Sequence, residues 1–313
     1  MQRLQEKYIP VAVDYDHTIT RQLDRLDGYL HESESRCSGI RHGCEKKIVW
    51  HENKRQLRDL AIVYLHGFSA SRMETWPLCD RLAEAMGANL YYTRLTGHGQ
   101  NGHAMAAATV NDWLNDGMEA MAIGRRLGKK IILVGTSTGA TLATWLAARP
   151  VDAPLIHSLI LLSPNFFPKN PLAAAALWRP AIRLFECCFG SRRNFDAVNA
   201  RHARFWTVCY PVRAIATMMH LVRLSWRIDL NHTTIPVLMM VNPRDRVINV
   251  TLAVKRFRDF SSRRNKLVFF TSNRDLGHHI LAGDILSPGT TQKALAIIRK
   301  FLRDIALVDP DAP

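Results

Sequence analysis

The sequence predicts an α/β fold, a mostly parallel sheet flanked by helices and interrupted once by a helical insertion. Three observations carry that prediction. From residue 61 onward, short apolar β-branched runs alternate with longer helical patterns, as in a parallel sheet wrapped by helices. One of these runs enters Gly135-Thr-Ser-Thr-Gly139 and continues directly into a helical pattern. Residues 165–232 then break the alternation between two strands.

The first clear buried strand is Ala61-Ile-Val-Tyr-Leu65. Strands over 88–93, 130–135, 158–163, 236–241 and 266–270 follow, each short and apolar as a strand covered on both faces should be. Between them Val110, Trp113, Leu114, Met118 and Met121 recur at helical spacing behind Thr109-Val-Asn-Asp112, a capping box. Upstream, residues 47–51 read as a strand, and the polar stretch 52–59 turns it back toward Ala61. An antiparallel pair of these two at the sheet edge is expected. Residues 1–45 mix charges of both signs with few apolar anchors, and no chemistry is assigned to them.

The chain thus divides into an N-terminal extension (1–45), a core (46–164 and 233–313) and a helical cap (165–232). The cap segment reads as helical throughout. Its aromatic and Met residues, Trp178 and Phe205 among them, are expected to accept an apolar group, the competing reading being that they pack only the cap's own small core. Such an insertion sits over the carboxyl ends of the strands, where open α/β sheets bind ligands.

At 313 residues, 47% hydrophobic and 22% charged, the composition is that of an ordinary globular chain. The apolar run near the amino terminus is cut short by Asp14 and Asp16, and no stretch approaches the roughly 20 apolar residues that span a bilayer. The cytoplasm is the expected location. The six cysteines lack zinc-ligand spacing and are too few for a disulfide scaffold, so buried, reduced thiols are expected. The net charge is +15. Ten Lys/Arg face three Asp/Glu within 165–232, but they are dispersed among apolar residues and belong to no nucleic-acid-binding module. A solvated basic surface is the favoured reading, no nucleic acid is expected as partner, and peripheral contact of the basic cap with anionic membrane is the minority one.

The chemistry centres on Ser137. Flanking glycines permit a tight strand-to-helix turn that lifts the serine hydroxyl above the sheet, and the helix amino terminus beside it offers N–H groups to developing negative charge. A bare Gly-x-Ser-x-Gly occurs by chance; bounded by a strand and a helix it defines a nucleophile elbow. An oxyanion hole needs two N–H donors, which Thr138 and, after the first strand, Phe68 of His66-Gly-Phe would supply. His66 itself reads as a loop-packing residue. Asp245 follows one strand and His278 the last, in the order serine, carboxylate, histidine that this topology requires. Asp259 and Asp275 are poorer candidates for the carboxylate.

Between Ala61 and Ala306, outside the cap, the chain resembles bacterial carboxylesterases and monoacylglycerol lipases of the α/β-hydrolase superfamily. The resemblance lies in His66-Gly-Phe-Ser69, Thr96-Gly-His-Gly99, Asp112-Trp113, Gly135-Thr-Ser-Thr-Gly139, Asp245 and Gly277-His278. It implies an α/β-hydrolase fold, a Ser137–His278–Asp245 triad with the base directly after a glycine, and a serine esterase acting on a lipid-like ester without cofactor or metal. The sequence departs from the resemblance where Gly139-Ala140 replaces a glycine pair and Thr138 places a branched side chain near the oxyanion hole. Amide or peptide cleavage and acyl transfer use the same triad. A non-catalytic binding scaffold is the alternative from another class, and it has no need of all three residues.

Overall fold

In the computed structural model, which describes residues 15–306, seven strands form one sheet. The parts of the expected extension and core that fall on 1–14 and 307–313 lie outside the described residues. The strands are β1 (Lys47–Val49), β2 (Arg58–Leu65), β3 (Asn89–Tyr92), β4 (Gly128–Thr136), β5 (Ile156–Leu162), β8 (Val237–Val241) and β9 (Lys266–Phe269), with β6 and β7 lying in the insertion. Their order is β1-β3-β2-β4-β5-β8-β9, and every pairing is parallel except β1 with β3. Here the expected partner of β1 is corrected. It pairs with β3 and not with β2, because β3 and β4 already occupy both edges of β2.

Period-2 alternation sends the side chains of each strand to two helical layers. Val63, Leu65, Leu133, Leu161 and Met239 face the helices Val110–Leu127, Thr138–Ala147 and Val250–Phe257. Ile62, Val134, Ile160 and Leu238 face Leu78–Met86 and Thr291–Ala306. Both faces are buried, which explains why the strands read as continuous apolar runs. The capping box forms: the Thr109 hydroxyl accepts from the Asp112 N–H, and the Asp112 carboxylate accepts from the Thr109 N–H at 2.7 Å. Trp113, fully buried one residue later, donates its indole N–H to the Thr96 carbonyl at 3.0 Å and ties this helix to the loop after β3.

The described part of the N-terminal segment packs into the core. Leu26 and Leu30, on the helix Leu26–Ser35, are buried in the same cluster as β2 and β4. Glu34 beside them forms a two-pronged pair with the buried Arg94. Lys46 meets Glu119 at 2.6 Å, and Glu119 also accepts from the Tyr29 hydroxyl. Buried charges of this kind are tolerated when paired and hydrogen-bonded.

The insertion is not helical throughout. Helices Arg179–Phe189 and Ala214–Ser225 flank a short helix, Ala200–Phe205, and an antiparallel ribbon of β6 (Arg192–Asn194) with β7 (Cys209–Pro211). Strands of three residues are too short for a period-2 pattern to show. Ser69 accepts from the Thr207 N–H at 2.7 Å and Ala108 from the Thr217 hydroxyl at 2.8 Å, which fixes the insertion over the strand ends, and within it the Trp226 indole donates to the Phe166 carbonyl at 2.6 Å. Of the cysteines, Cys44 and Cys79 are buried, Cys37 and Cys209 half-buried, and Cys187 exposed. No helix among the described residues is long and apolar enough to cross a membrane.

Candidate active site

Ser137 stands between the end of β4 and the helix Thr138–Ala147, in a backbone conformation (φ 53°, ψ −116°) that non-glycine residues seldom adopt. The strain is held from several sides. The Ser137 N–H donates to the Leu162 carbonyl at 2.9 Å, and its own carbonyl accepts from the Asn165, Ala140 and Thr141 N–H groups. Close packing makes the flanking glycines obligatory: a Cβ at Gly139 would lie 2.0 Å from the Leu65 carbonyl oxygen, and one at Gly135 2.6 Å from the Ala140 backbone.

Asp245 follows β8 and is buried. One oxygen, Oδ1, accepts from the Val247 and Ile248 N–H groups at 2.7 and 3.0 Å. The other, Oδ2, is 2.8 Å from a histidine Nδ1, and that histidine is His279. The expectation for His278 is therefore corrected: Asp245 pairs with its neighbour. In the turn after β9, His278 itself takes the left-handed conformation (φ 54°), and its Nδ1 finds no hydrogen-bond partner among the described residues. Adjacent residues in a turn point apart, so only one can reach Asp245. Asp275 sets the turn by accepting the His279 and Ile280 N–H groups on Oδ2 at 2.7 and 3.0 Å, and Ser163 donates its hydroxyl to the His279 carbonyl at 2.7 Å.

Burial works against a charge on His279, but the adjoining Asp245 outweighs it with help from Glu74 and Asp275, so its pKa is raised. The contact with Asp245 places the proton on Nδ1 and leaves Nε2 as the basic nitrogen. Ser137 and His279 line one cavity of about 470 Å³, within the range of small-molecule sites. Its walls above the serine come largely from the insertion, with Leu172, Ala176, Ile182, Ile215 and Met218 among them. Trp178 and Phe205 do not line it. Trp178 faces solvent at 66% exposure, and Phe205 packs with Cys44, Ala70, Trp206 and Ile285.

The Phe68 and Thr138 N–H groups donate to no acceptor among the described residues, and Phe68 also lines the cavity. His66 is buried and structural. Its Nε2 accepts from the Leu95 N–H at 3.1 Å, so Nδ1 carries the proton, 2.9 Å from the Gly67 carbonyl. Burial lowers its pKa to about 4. Sequence reasoning missed Glu74, a buried carboxylate on the cavity wall next to Ser137 and His279. An acidic residue eight positions after His66 carries no pattern of its own.

The family model described as "Alpha/beta hydrolase family" matches residues 62–284, and the chain belongs to that family. It is 24% identical over 246 residues to the thermostable monoacylglycerol lipase of Bacillus sp. (strain H-257), covering 77% of this chain and 91% of that protein. Among solved structures, a metagenome-derived lipolytic enzyme superposes with a TM-score of 0.67 at 19% identity, covering 85% of this chain and 99% of the other. A soluble variant of the Saccharomyces cerevisiae monoglyceride lipase, in complex with a substrate analogue, superposes at 0.63 and 14% identity, covering 83% and 91%. The chain resembles esterases and monoacylglycerol lipases of this fold.

Proposed function

We propose that this protein is a serine hydrolase that cleaves carboxylic esters with an apolar acyl chain, using Ser137 as nucleophile, His279 as general base and Asp245 as the carboxylate that orients it. The observation that carries the reading is the Asp245–His279 contact at 2.8 Å beside a strained Ser137 that opens on the same apolar cavity. In the acylation step His279 Nε2 takes the Ser137 hydroxyl proton as Oγ attacks the ester carbon. The Phe68 and Thr138 N–H groups receive the oxyanion. The tetrahedral intermediate then expels the alcohol, which takes the proton from His279, and water repeats the sequence to release the acid.

The lipase and esterase names of the relatives support ester cleavage, and the apolar walls support a lipid-like acyl group. Rates on p-nitrophenyl esters of increasing chain length test this. The wild type should prefer chains longer than acetate, whereas Ala176→Trp, which fills the insertion side of the cavity, should depress long-chain hydrolysis at least about tenfold and spare acetate, since displacing several buried methylenes at about 0.8 kcal/mol each exceeds that factor. Equal rates along the series, unmoved by the substitution, would reject the acyl-pocket reading.

A further inference from the structure

We propose that Glu74 is a positioning residue for the oxyanion loop: its buried carboxylate holds the Gly67 N–H and so presents the neighbouring Phe68 N–H to the developing charge. The inference rests on the Ser137 reading above. Glu74 is 2% exposed, and its Oε2 accepts from the Gly67 N–H at 2.8 Å and from the Tyr64 hydroxyl at 3.0 Å. Tyr64 in turn lies 3.1 Å from the hydroxyl of Thr136, the residue before the nucleophile. The carboxylate therefore bridges the oxyanion loop and the elbow. Nothing separates it from either, for a Cβ on Gly67 would sit 2.6 Å from Glu74 Oε1 and 3.2 Å from Ser137 Cβ.

The peptide that carries the Phe68 N–H begins at the Gly67 carbonyl, which accepts from His66 Nδ1 at 2.9 Å. Gly67 is thus gripped on its N–H by Glu74 and on its carbonyl by His66, and with both ends held the Phe68 N–H is preorganised before substrate arrives. A carboxylate buried without a cation partner is costly. No Lys or Arg pairs with Glu74 among the described residues, and a neutral amide would accept the same hydrogen bond, so holding the loop needs an acceptor at this position and not a charge.

The groups that act on that charge are few. Tyr64 faces it from β2, while His279 and Asp275 face it from the turn after β9. Burial pushes Glu74 up to about 7, against the Gly67 hydrogen bond, His279 and Tyr64, with Asp275 adding to the rise. Glu74 reciprocally raises His279. As pH rises past this value Glu74 becomes a charged acceptor for Gly67, and its charge helps hold the proton on His279. Loss of the His279 proton frees the base and a charged Glu74 opposes that loss, so the acid limb of log kcat/KM should lie at higher pH with Glu74 present than without it, with apparent pKa values that belong to the pair.

Glu74→Gln and Glu74→Ala test the assignment, with circular dichroism to establish folding. The Gln variant keeps the acceptor and should retain kcat within about threefold at pH 8.5, while its acid limb moves to lower pH. The Ala variant should lose about tenfold or more in kcat with KM little changed, a fraction of the 10²–10³ that loss of an oxyanion donor itself costs. A folded Ala variant with wild-type kcat, a Gln variant with the wild-type pH profile, or a Gln variant as impaired as Ala at pH 8.5 would each overturn the proposal. If a fluorophosphonate still labels Ser137 in such a case, the positioning role alone has failed; if the wild type takes no label, the hydrolase reading has failed as well.

Discussion

His279→Ala is expected to remove essentially all ester turnover, whereas His278→Ala, one residue away, should keep most of it. The base must reach the serine oxygen within about 2.6–3.2 Å in the productive complex while its other nitrogen meets the carboxylate. Of the two, His279 has that second contact, at 2.8 Å to Asp245, and lines the cavity with Ser137. Loss of the histidine from a serine triad costs on the order of 10⁶ in kcat. His278 occupies the left-handed turn position, so replacing it changes a loop residue and not the proton path. Steady-state kcat for both variants decides the matter. An active His279→Ala beside an inactive His278→Ala would return the base to the residue that follows Gly277.

Asp245→Asn should lower kcat by about 10⁴ without unfolding the protein. The amide oxygen of Asn can still accept from the Val247 and Ile248 N–H groups, which preserves the turn after β8. Its NH₂ group then faces His279 Nδ1. A donor meeting that nitrogen forces the proton onto Nε2, and the imidazole can no longer take one from Ser137. The expected result is a large fall in kcat with the thermal midpoint close to wild type. Unchanged turnover would show that the carboxylate acts from elsewhere, and Asp275, which anchors the histidine turn through two backbone N–H groups, would be examined next.

The sheet was legible because strands covered on both faces must be apolar throughout, and short apolar runs between helical patterns mark them. The strand-to-helix turn at Ser137 was legible for a related reason. Glycines at 135 and 139 leave room that no side chain could occupy, and that steric demand is written in the sequence. The position of Asp245 after β8 was legible because a carboxylate at that place in the chain has few competitors. The choice between His278 and His279 depends on which of two adjacent residues takes the positive φ. The glycine suggested that His278 is the residue set free to reach inward, whereas the structure gives the left-handed turn to His278 itself. The Asp275 carboxylate that accepts two later N–H groups fixes this choice, and such a turn is set by tertiary packing. The partner of β1, the β6–β7 ribbon and the contact between Glu74 and Gly67 were hidden for the same reason, since each joins segments whose local pattern is silent about the other.

The central claim, that Ser137 is a nucleophile activated by His279 and Asp245, is tested most directly by fluorophosphonate labelling with mass-spectrometric mapping of the modified residue. The wild type should take one label, on Ser137. Ser137→Ala should take none, and His279→Ala should label far more slowly than His278→Ala. A label on another serine, or none on folded wild-type protein, would contradict the account.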